Sequence, residues 1–542
     1  MGSGNENLAN RLPAGVTDRR GRNRVALVLG VSVMVMWLLP GAVGGRSTSA
    51  AATAGDNSWT VYHQDSAGTG VDTSAAAVNT PHPAWTSPGL DGQIYGEPLV
   101  SGGQVFVATE NDTVYSLSSS TGAIAWSTHL GTPVPSGSLP CGDISPTVGI
   151  TGTPVIDPTR SEIFVVADEL QNGSPVHVLV GLDTTSGRTE MTKNVDPTGA
   201  KPAALLQRTG LTLDANQVVF GFGGNYGDCS MYRGWLVGVN ESGGAPVDFA
   251  VDSGPGESQG AIWMGGAAPE VDSDGNLWIG VGNGSVTTPG EAYDYSDSVL
   301  ELSSTFHLLQ YFAPTSWASD NAHDLDLSMA PALLADGQVV ASGKSAHAYL
   351  LNGGHLEGIG GQESDLASVC GDDVDGGTAV MGTTVFLPCL SGIVALQVGT
   401  SPARLQVLWT SHTGGGPPII AADRVWTIGQ DGMLSGLNPT TGAVEQQAAI
   451  GTPVNHFPTP SVGSGVLVAA AGSHVVAFAA PPTSSSSRSS TTTLTTLSPA
   501  RSPAQPRGGF PVVAIIALAA GAAILIGVIA WFVRRRARSR PV

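Results

Sequence analysis

Charged residues are scarce in this sequence, and basic residues are scarcest in its middle. Lysine and arginine number 23 in 542 residues, and charged residues make up 12% of the chain. Only nine of the basic residues lie between Gly55 and Pro482, whereas nearly all of the 43 acidic residues do. A body with this excess of negative charge repels nucleic acid and anionic membrane surfaces. We therefore exclude nucleic acid as a partner, and we explain the acidity by solubility or by an affinity for cations.

Familiar catalytic and cofactor motifs are also missing. There is no H-E-x-x-H zinc motif and no P-loop, and the lack of C-x-x-C-H excludes a covalently attached haem. The sequence has only four cysteines. An even number in an exported segment favours two disulfides. Three pairings are possible; we favour Cys370 with Cys389, because they lie in one repeat, which leaves Cys141 with Cys229 by default.

The N-terminal segment, residues 1–54, carries an export signal. A basic stretch, Arg19–Arg24, precedes an apolar run that ends at Leu39, and an Ala-x-Ala pattern comes just before Gly55. This combination is typical of a cleaved signal peptide. An uncleaved anchor is the alternative, although the run is short for a membrane span.

The C-terminal segment predicts a membrane anchor. Residues 481–509 are rich in Ser, Thr and Pro and predict an extended stalk. Residues 510–533 form an apolar run that is long enough for a transmembrane helix. The basic tail, residues 534–542, is expected in the cytoplasm. The chain is therefore predicted to cross the cell membrane once, with residues 55–480 outside the cytoplasm.

The middle of the chain repeats a unit of short β-type runs. Residues 97–130 hold four such runs, separated by Gly102-Gly103, by 110–112 and by 120–122. Turn residues between β-branched and aromatic runs predict antiparallel hairpins. Four strands in one meander form one propeller blade, and one blade cannot bury both of its faces. Further copies are therefore expected, and they follow along the chain.

The last copy, residues 458–479, stops after three strands. Pro83–Ser87 (PAWTS) resembles the fourth strand of the first copy, Ile124–Thr128 (IAWST), and would supply the missing strand. Closing the ring in this way leaves few exposed strand edges. We predict an all-β fold, an eight-bladed β-propeller of four-stranded blades over residues 55–480.

The repeat resembles the PQQ-binding-like, or quinoprotein alcohol dehydrogenase-like, β-propeller family. The pattern Val-x-Ala-Leu-Asp-x-x-Thr-Gly-x-x-x-Trp is best preserved in residues 113–127, 180–188 and 437–443. The family contains quinoprotein dehydrogenases and also non-enzymatic relatives, such as a scaffold of outer-membrane protein assembly. The resemblance therefore implies the fold but leaves the activity open.

Two metal ligands are implied by the resemblance. Asn283 ends a strand that is similar to the family strand whose asparagine binds calcium. The family's glutamate ligand is absent, and Asp228 is the nearest substitute. Both residue types offer the hard oxygen atoms that calcium prefers. PQQ and calcium are the cofactors that the resemblance implies.

Three further positions match the family's reaction centre. His323–Asp326 is similar to the segment with the catalytic base, but it is one residue shorter, so Asp326 and Asp324 are both candidates. Lys344 matches the lysine that faces the quinone. Trp263 is the nearest counterpart of the tryptophan beneath the quinone ring. The adjacent cysteine pair that caps the ring in the family is absent.

Two functions follow from this reading. The first is a membrane-anchored, extracytoplasmic propeller that binds a small ligand or a protein partner, with a degenerate cofactor site. The alternative is a PQQ- and calcium-dependent alcohol or sugar dehydrogenase. Whether the protein is an enzyme stays open at this point.

Overall fold

The β-type runs fold into eight antiparallel sheets, the blades of a propeller. The computed structural model describes residues 58–80, 82–453, 455 and 457–480. The predicted export signal, stalk, transmembrane helix and basic tail all lie outside the described residues. Within the described ranges, no helix is both long and apolar enough to cross a bilayer.

Each blade is a four-stranded meander. Blade 1 consists of Leu99–Ser101, Gln104–Thr109, Thr113–Ser118 and Ile124–His129, and blade 2 of Val155–Asp157, Glu162–Gln171, Ser174–Asp183 and Thr189–Asn194. Blade 3 consists of Thr212–Asp214, Gln217–Gly224, Trp235–Asn240 and Val247–Ala250, and blade 4 of Glu270–Val271, Leu277–Val281, Ser298–Leu302 and Leu308–Ala313. Blade 5 consists of Ala332–Leu333, Gln338–Ser342, Ala348–Asn352 and Ser364–Leu366, and blade 6 of Ala379–Met381, Thr384–Cys389, Gly392–Thr400 and Ala403–Ser411. Blade 7 consists of Ile419–Ala421, Arg424–Ile428, Met433–Leu437 and Val444–Ala449, and blade 8 of Ser461–Gly463, Val466–Ala471, His474–Ala479 and Trp85–Thr86.

Short elements decorate the ring. They are the strands Val71–Asp72, Val134–Pro135, Thr147–Val148, Leu205–Leu206 and Gly358–Ile359, the 3₁₀ turns Ser136–Ser138 and Pro202–Ala204, and one α-helix, α1, at Trp317–His323. Of these, α1 matters most for function, because it lies between blades 4 and 5 and leads into the predicted catalytic segment.

The ring closes as the sequence predicts. Trp85 pairs with Ala477 and Thr86 pairs with Val476, so an N-terminal strand completes blade 8. Both predicted disulfides are also confirmed, with Cα atoms 6.2 Å apart in Cys141–Cys229 and 5.7 Å apart in Cys370–Cys389. The eight-bladed architecture is therefore confirmed.

The fourth strand of blade 5 differs from the prediction. The repeat pattern ends this copy at Gly360, but Gly358–Ile359 pairs in parallel with the outer strand of blade 4, Leu308–Ala313. The outer strand of blade 5 is Ser364–Leu366, which pairs with Ala348–Asn352. Glycines at 358, 360 and 361 interrupt the run and carry the chain across to the neighbouring blade before it returns.

Tryptophan side chains join consecutive blades at three places. Trp126, on the outer strand of blade 1, donates a hydrogen bond from Nε1 to the carbonyl of Thr184 at 3.0 Å. Its ring covers Gly187 in blade 2, where a Cβ atom would overlap the ring and where φ is +70°. Only glycine satisfies both conditions without strain. The Thr-Gly-x-x-x-Trp pattern of the repeat is therefore a joint between blades.

The same joint recurs elsewhere in the ring. Trp85 of blade 8 covers Gly122 of blade 1, and its Nε1 donates to the Ser119 carbonyl at 2.8 Å. Trp409 of blade 6 covers Gly442 of blade 7 in the same way. The first of these joints ties the N-terminal strand to the first repeat and so locks the closure of the ring.

Candidate functional site

A cavity of about 640 Å³ lies on the axis, where the connections between blades meet. Its charged and aromatic lining residues are Tyr95, Asp143, Arg208, Tyr226, Asp228, Trp263, Asp324, Lys344, Asp375 and Phe457. Cavities of this size hold drug-sized ligands and cofactors. Four residues that the sequence singled out, Asp228, Trp263, Asp324 and Lys344, are therefore in the wall of one cavity.

One position of the repeat supplies much of this wall. Tyr95, Arg208, Ser328, Asp375 and Phe457 line the cavity, and each lies four residues before the first strand of its blade. Because the blades are related by rotation about the axis, equivalent positions face the same central space. The sequence reading missed these residues, although the repeat spacing would have found them.

Lys344 lies between two aspartates. Its Nζ is 3.1 Å from Asp324 Oδ1 and also forms an ion pair with Asp326 Oδ2. Asp326 is fully buried, whereas the Asp324 side chain is 74% exposed and Lys344 is 25% exposed. The cluster therefore has one carboxylate shielded from water and one that faces it. An ion pair with a fully buried partner is costly to break, because the remaining charge is left in a low dielectric.

Asn283 completes this cluster. Its backbone N–H donates to Asp326 Oδ1 at 2.7 Å, and its Nδ2 donates to Asp324 Oδ1 at 2.8 Å. Its Oδ1 is buried and accepts no hydrogen bond within the described part of the chain. Asn283, Asp324, Asp326 and Lys344 thus lie in one cluster, of which Asp324 and Lys344 line the cavity.

Local backbone structure explains this convergence. Asp324 follows α1 and adopts the left-handed conformation, with φ of +57°, which redirects the chain toward blade 5. Asp326 then packs against the end of a blade 4 strand at Gly282, where a Cβ atom would lie 2.5 Å from Asp326 Oδ1. Gly282 is therefore needed for the close approach of strand and carboxylate.

Trp263 packs against a glycine-rich strand of blade 3. Its Nε1 donates to the carbonyl of Gly224 at 3.0 Å, and a Cβ atom at Gly223 would overlap the indole ring. The glycines of the run Gly221–Gly224 therefore leave space for neighbouring aromatic rings. No helix follows the run, so it does not form a phosphate-binding loop. Trp263 supplies a flat aromatic surface to the cavity wall.

Asp228 occupies the neighbouring loop of blade 3. It accepts a hydrogen bond from the Tyr232 hydroxyl at 2.8 Å, and burial raises its pKa above the ordinary value of 3.8. The next residue, Cys229, is bonded to Cys141, and a Cβ atom on Gly227 would lie 3.7 Å from Cys141 Sγ. A disulfide between distant cysteines therefore borders the cavity, although the adjacent cysteine pair is absent.

The charges of the cluster shift one another's proton affinities. Burial raises the pKa of Asp326, and the ammonium group of Lys344 opposes that rise. Burial alone would lower the pKa of Lys344, but the carboxylates of Asp326 and Asp324 raise it overall. Lys344 therefore stays positively charged at neutral pH. Of the two carboxylates, Asp324 lines the cavity and is the one that a polar substrate can reach.

The residues fit a flat ring compound better than they fit a resident metal ion. The volume of the cavity and the indole of Trp263 suit a planar cofactor such as PQQ. Within the described ranges, however, no group of three or more His, Cys, Asp or Glu side chains is arranged to hold a metal ion. Calcium would have Asn283 with Asp324 or Asp228 as its protein ligands.

A nucleophile-elbow pattern, G-x-S-x-G, also occurs once at residues 256–260. Ser258 lies in a loop, and its backbone N–H donates to Ser285 Oγ at 3.0 Å. A nucleophile elbow requires a sharp turn between a strand and a helix. That context is missing at Ser258, so the pattern does not indicate a hydrolase.

Comparison with known proteins agrees with this fold. The family model described as outer membrane protein assembly factor BamB matches residues 44–261, which include blades 1 to 3. Quinohemoprotein alcohol dehydrogenase from Comamonas testosteroni is similar, with a TM-score of 0.57 at 14% identity over 79% of this chain and 81% of that chain. The family model therefore supports a PQQ-like repeat over residues 44–261, and the solved structure supports the propeller fold over most of the chain.

Two further solved structures share this fold. Quinohemoprotein alcohol dehydrogenase ADHIIG from Pseudomonas putida HK5 has a TM-score of 0.56 at 13% identity, over 88% of this chain and 85% of that chain. A europium-containing methanol dehydrogenase has a TM-score of 0.55 at 13% identity, over 78% of this chain and 98% of that chain. No curated protein sequence matches significantly. At sequence identities this low, similarity to these solved structures establishes the fold of the chain and not its activity.

Proposed function

We propose that the chain is a membrane-anchored, extracytoplasmic PQQ-like propeller that binds a planar small molecule in its central cavity. The observation that carries this proposal is the meeting of Asp228, Trp263, Asp324 and Lys344 in one cavity wall, with Asp326 and Asn283 directly behind. These residues come from three different blades and connections. A scaffold without a ligand would have no need to bring them together.

The membrane part of the proposal depends on the sequence alone. The export signal at 1–54, the apolar run at 510–533 and the basic tail at 534–542 support a single span with the propeller outside the cytoplasm. The stalk at 481–509 would hold the propeller away from the bilayer. In this arrangement the ligand comes from outside the cytoplasm.

A PQQ- and calcium-dependent alcohol or sugar dehydrogenase is the second candidate function. The specific support is the buried Asp326, which is paired with Lys344 and bonded to the backbone of Asn283. When bound, PQQ would supply a quinone that accepts hydride. Asp324, which lines the cavity, would take the proton of the substrate hydroxyl, and Lys344, itself paired with Asp326, would hold that carboxylate in place. The electrons would then pass to a separate carrier.

A titration of the purified full-length protein with PQQ, with and without Ca²⁺, tests both functions. We expect saturable binding with one ligand per chain, weakened at least tenfold by Lys344→Gln. Arg188→Gln, a change at an exposed arginine on the outer part of blade 2, is the control and should bind normally. Dye reduction by alcohols or sugars in the loaded protein would establish the dehydrogenase.

Two outcomes count against these functions. Binding without dye reduction would leave a ligand-binding propeller and reject the enzyme. No saturable binding of PQQ at high micromolar concentration would reject the cofactor role. It would favour a protein-binding scaffold, the role named for the family model that matches residues 44–261.

A further inference from the structure

A second pocket, of about 350 Å³, borders the central cavity. Gln430 lines both spaces, so the two are neighbours at one face of the ring. This side pocket lies between blades 6 and 7, and its polar lining residues are Asp372, His412, Thr413, Gln430, Asp431 and Gln447. None of the residues that the proposed function uses is among them.

The loops around the side pocket are held in place by their own bonds. One of the two disulfides ties the chain just before Asp372 to the end of a blade 6 strand. The backbone N–H of Leu390 donates to the carbonyl of Asp373 at 3.0 Å. On the blade 7 side, Asp431 Oδ1 accepts a hydrogen bond from the backbone N–H of Met433 at 3.1 Å. The wall is therefore formed before a ligand arrives, which lowers the entropic cost of binding.

Most of the polar groups of this wall are available to a ligand. The side chains of Asp372, His412 and Gln430 make no hydrogen bond or ion pair with any residue in the described part of the chain. Asp431 uses only its Oδ1, for the backbone of Met433. The side pocket thus offers hydrogen-bonding groups that the fold itself does not engage.

The charge of the side pocket favours a cation. Asp372 and Asp431 line it, and no lysine or arginine does among its described lining residues. Basic residues are also scarce in the whole segment 55–482, so distant charges do not offset these two carboxylates. An ammonium group donates up to three hydrogen bonds, and its bonds to carboxylates are stronger than those between neutral groups. An anion would be repelled.

The neutral part of the wall suits hydroxyl groups. Thr413, Gln430 and Gln447 each carry both a hydrogen-bond donor and an acceptor, as a hydroxyl group does. Leu390 and Met433 add a small apolar surface that covers a short carbon chain. The lining therefore combines an acidic part with a part that binds alcohols.

We propose that the side pocket binds a protonated amine that carries several hydroxyl groups, an amino polyol. Asp372 and Asp431 bind its ammonium group, and the neutral side chains bind its hydroxyl groups. Gln430 places this ligand next to the molecule in the central cavity. The inference goes beyond the proposed function and does not depend on the binding of PQQ.

The test uses calorimetric titration of the full-length protein with three polyols of equal length. Glucamine ends in an ammonium group, sorbitol in a hydroxyl group and gluconate in a carboxylate. We expect one glucamine to bind per chain about tenfold more tightly than sorbitol, because two ion pairs form, and gluconate to bind more weakly than sorbitol. Asp372→Asn and Asp431→Asn should each reduce the preference about threefold, and the double variant should bind glucamine and sorbitol equally.

Asp336→Asn, at an exposed turn of blade 5, is the control and should bind all three polyols as the wild type does. Thermal unfolding shows whether each variant is folded. Equal affinity of the wild type for glucamine and sorbitol, or a preference that survives in the double variant, would overturn the inference. An equal loss in Asp336→Asn would also overturn it, because cations would then be attracted by the acidic body in general.

A parallel titration with PQQ separates this inference from the proposed function. The double variant should bind PQQ as the wild type does, because neither aspartate lines the central cavity. Loss of PQQ binding in a folded double variant would overturn the assignment of a separate pocket. If the wild type bound glucamine with the expected preference but did not bind PQQ, the proposed function would fail and the side pocket would stand.

Discussion

The joints between blades differ between two parts of the ring. Blades 8, 1 and 2 and blades 6 and 7 are joined by a tryptophan that covers a glycine, as Trp126 covers Gly187. Between blades 2 and 3, Met191 takes the place of the tryptophan, and a Cβ atom on Gly243 would lie 3.2 Å from Met191 Cγ. The cavity cluster comes from blades 3 to 5, which follow this methionine joint. The regular copies determine the architecture, and the departures from the repeat supply the chemistry.

Removing a tryptophan joint should have the largest effect on stability. Trp126→Ala is expected to lower the free energy of unfolding by about 3–5 kcal/mol, because a large ring and its hydrogen bond to Thr184 are lost. Chemical denaturation measures this loss. A change below about 1 kcal/mol would show that the joint is not what holds blades 1 and 2 together.

Breaking the ion pair in the cavity should come next. Lys344→Met leaves Asp326 buried without its cation, at a cost of about 3 kcal/mol. Adding Asp326→Asn should recover part of that loss, because the uncompensated charge is removed. Arg188→Met, which breaks an exposed pair with Glu190, is the control and should cost less than about 1 kcal/mol. Equal losses in the two single variants would contradict the account.

The methionine joint should be weaker than the tryptophan joint. Met191→Ala removes a smaller, half-buried side chain from Gly243, and we expect a loss of about 1–2 kcal/mol. The same denaturation experiment places it beside Trp126→Ala. If Met191→Ala cost as much as Trp126→Ala, the two parts of the ring would not differ in the way that their sequences indicate.

The smallest effect, when taken per pH unit, is a pH dependence in the regular part of the ring. Asp112, in blade 1, is buried, and neither carboxylate oxygen has a hydrogen-bond partner in the described part of the chain. Burial, together with the nearby carboxylates Glu169, Asp168 and Glu110, raises its pKa from 3.8 to about 9. In the cavity, by contrast, the buried Asp326 has Lys344 as its counter-ion.

The folded protein therefore holds a proton on Asp112 that the unfolded chain releases at lower pH. The contribution of this group to stability is full below about pH 4, falls as the pH rises, and is lost above about pH 9. Asp112→Asn should flatten this decline, by at most about 1.4 kcal/mol per pH unit. Unfolding measured at several pH values checks the slope, and an unchanged slope would refute the assignment.

The repeat made most of the fold predictable. Each strand of blade 1 has its own β-type run and turn residues, and the PAWTS segment revealed the closure of blade 8 because it repeats the pattern of IAWST. The outer strand of blade 5 was predicted wrongly, because glycines 358, 360 and 361 break the repeat pattern there. There the pairing partner is the outer strand of blade 4, which is about 46 residues earlier in the sequence, so local spacing does not reveal it.

The site was only partly predictable. Asn283, Asp324, Asp326 and Lys344 lie in recognisable segments, so their convergence could be foreseen. Arg208 and Phe457 belong to no recognisable motif. They share a position four residues before the first strand of their blades, and this position faces the cavity only once the ring is closed. The position of the Cys141–Cys229 disulfide beside the cavity likewise depends on loops that no repeat describes.

The central claim is that the cavity beside Trp263 binds a planar molecule. The most direct measurement is a calorimetric titration of the full-length wild type and Trp263→Leu with PQQ and with quinoline-2-carboxylate. The account predicts saturable binding of at least one of the two to the wild type, with one ligand per chain, and a loss of at least tenfold in Trp263→Leu, with circular dichroism showing that this variant remains folded. Binding that is indifferent to Trp263, or no saturable binding of either compound, would contradict it.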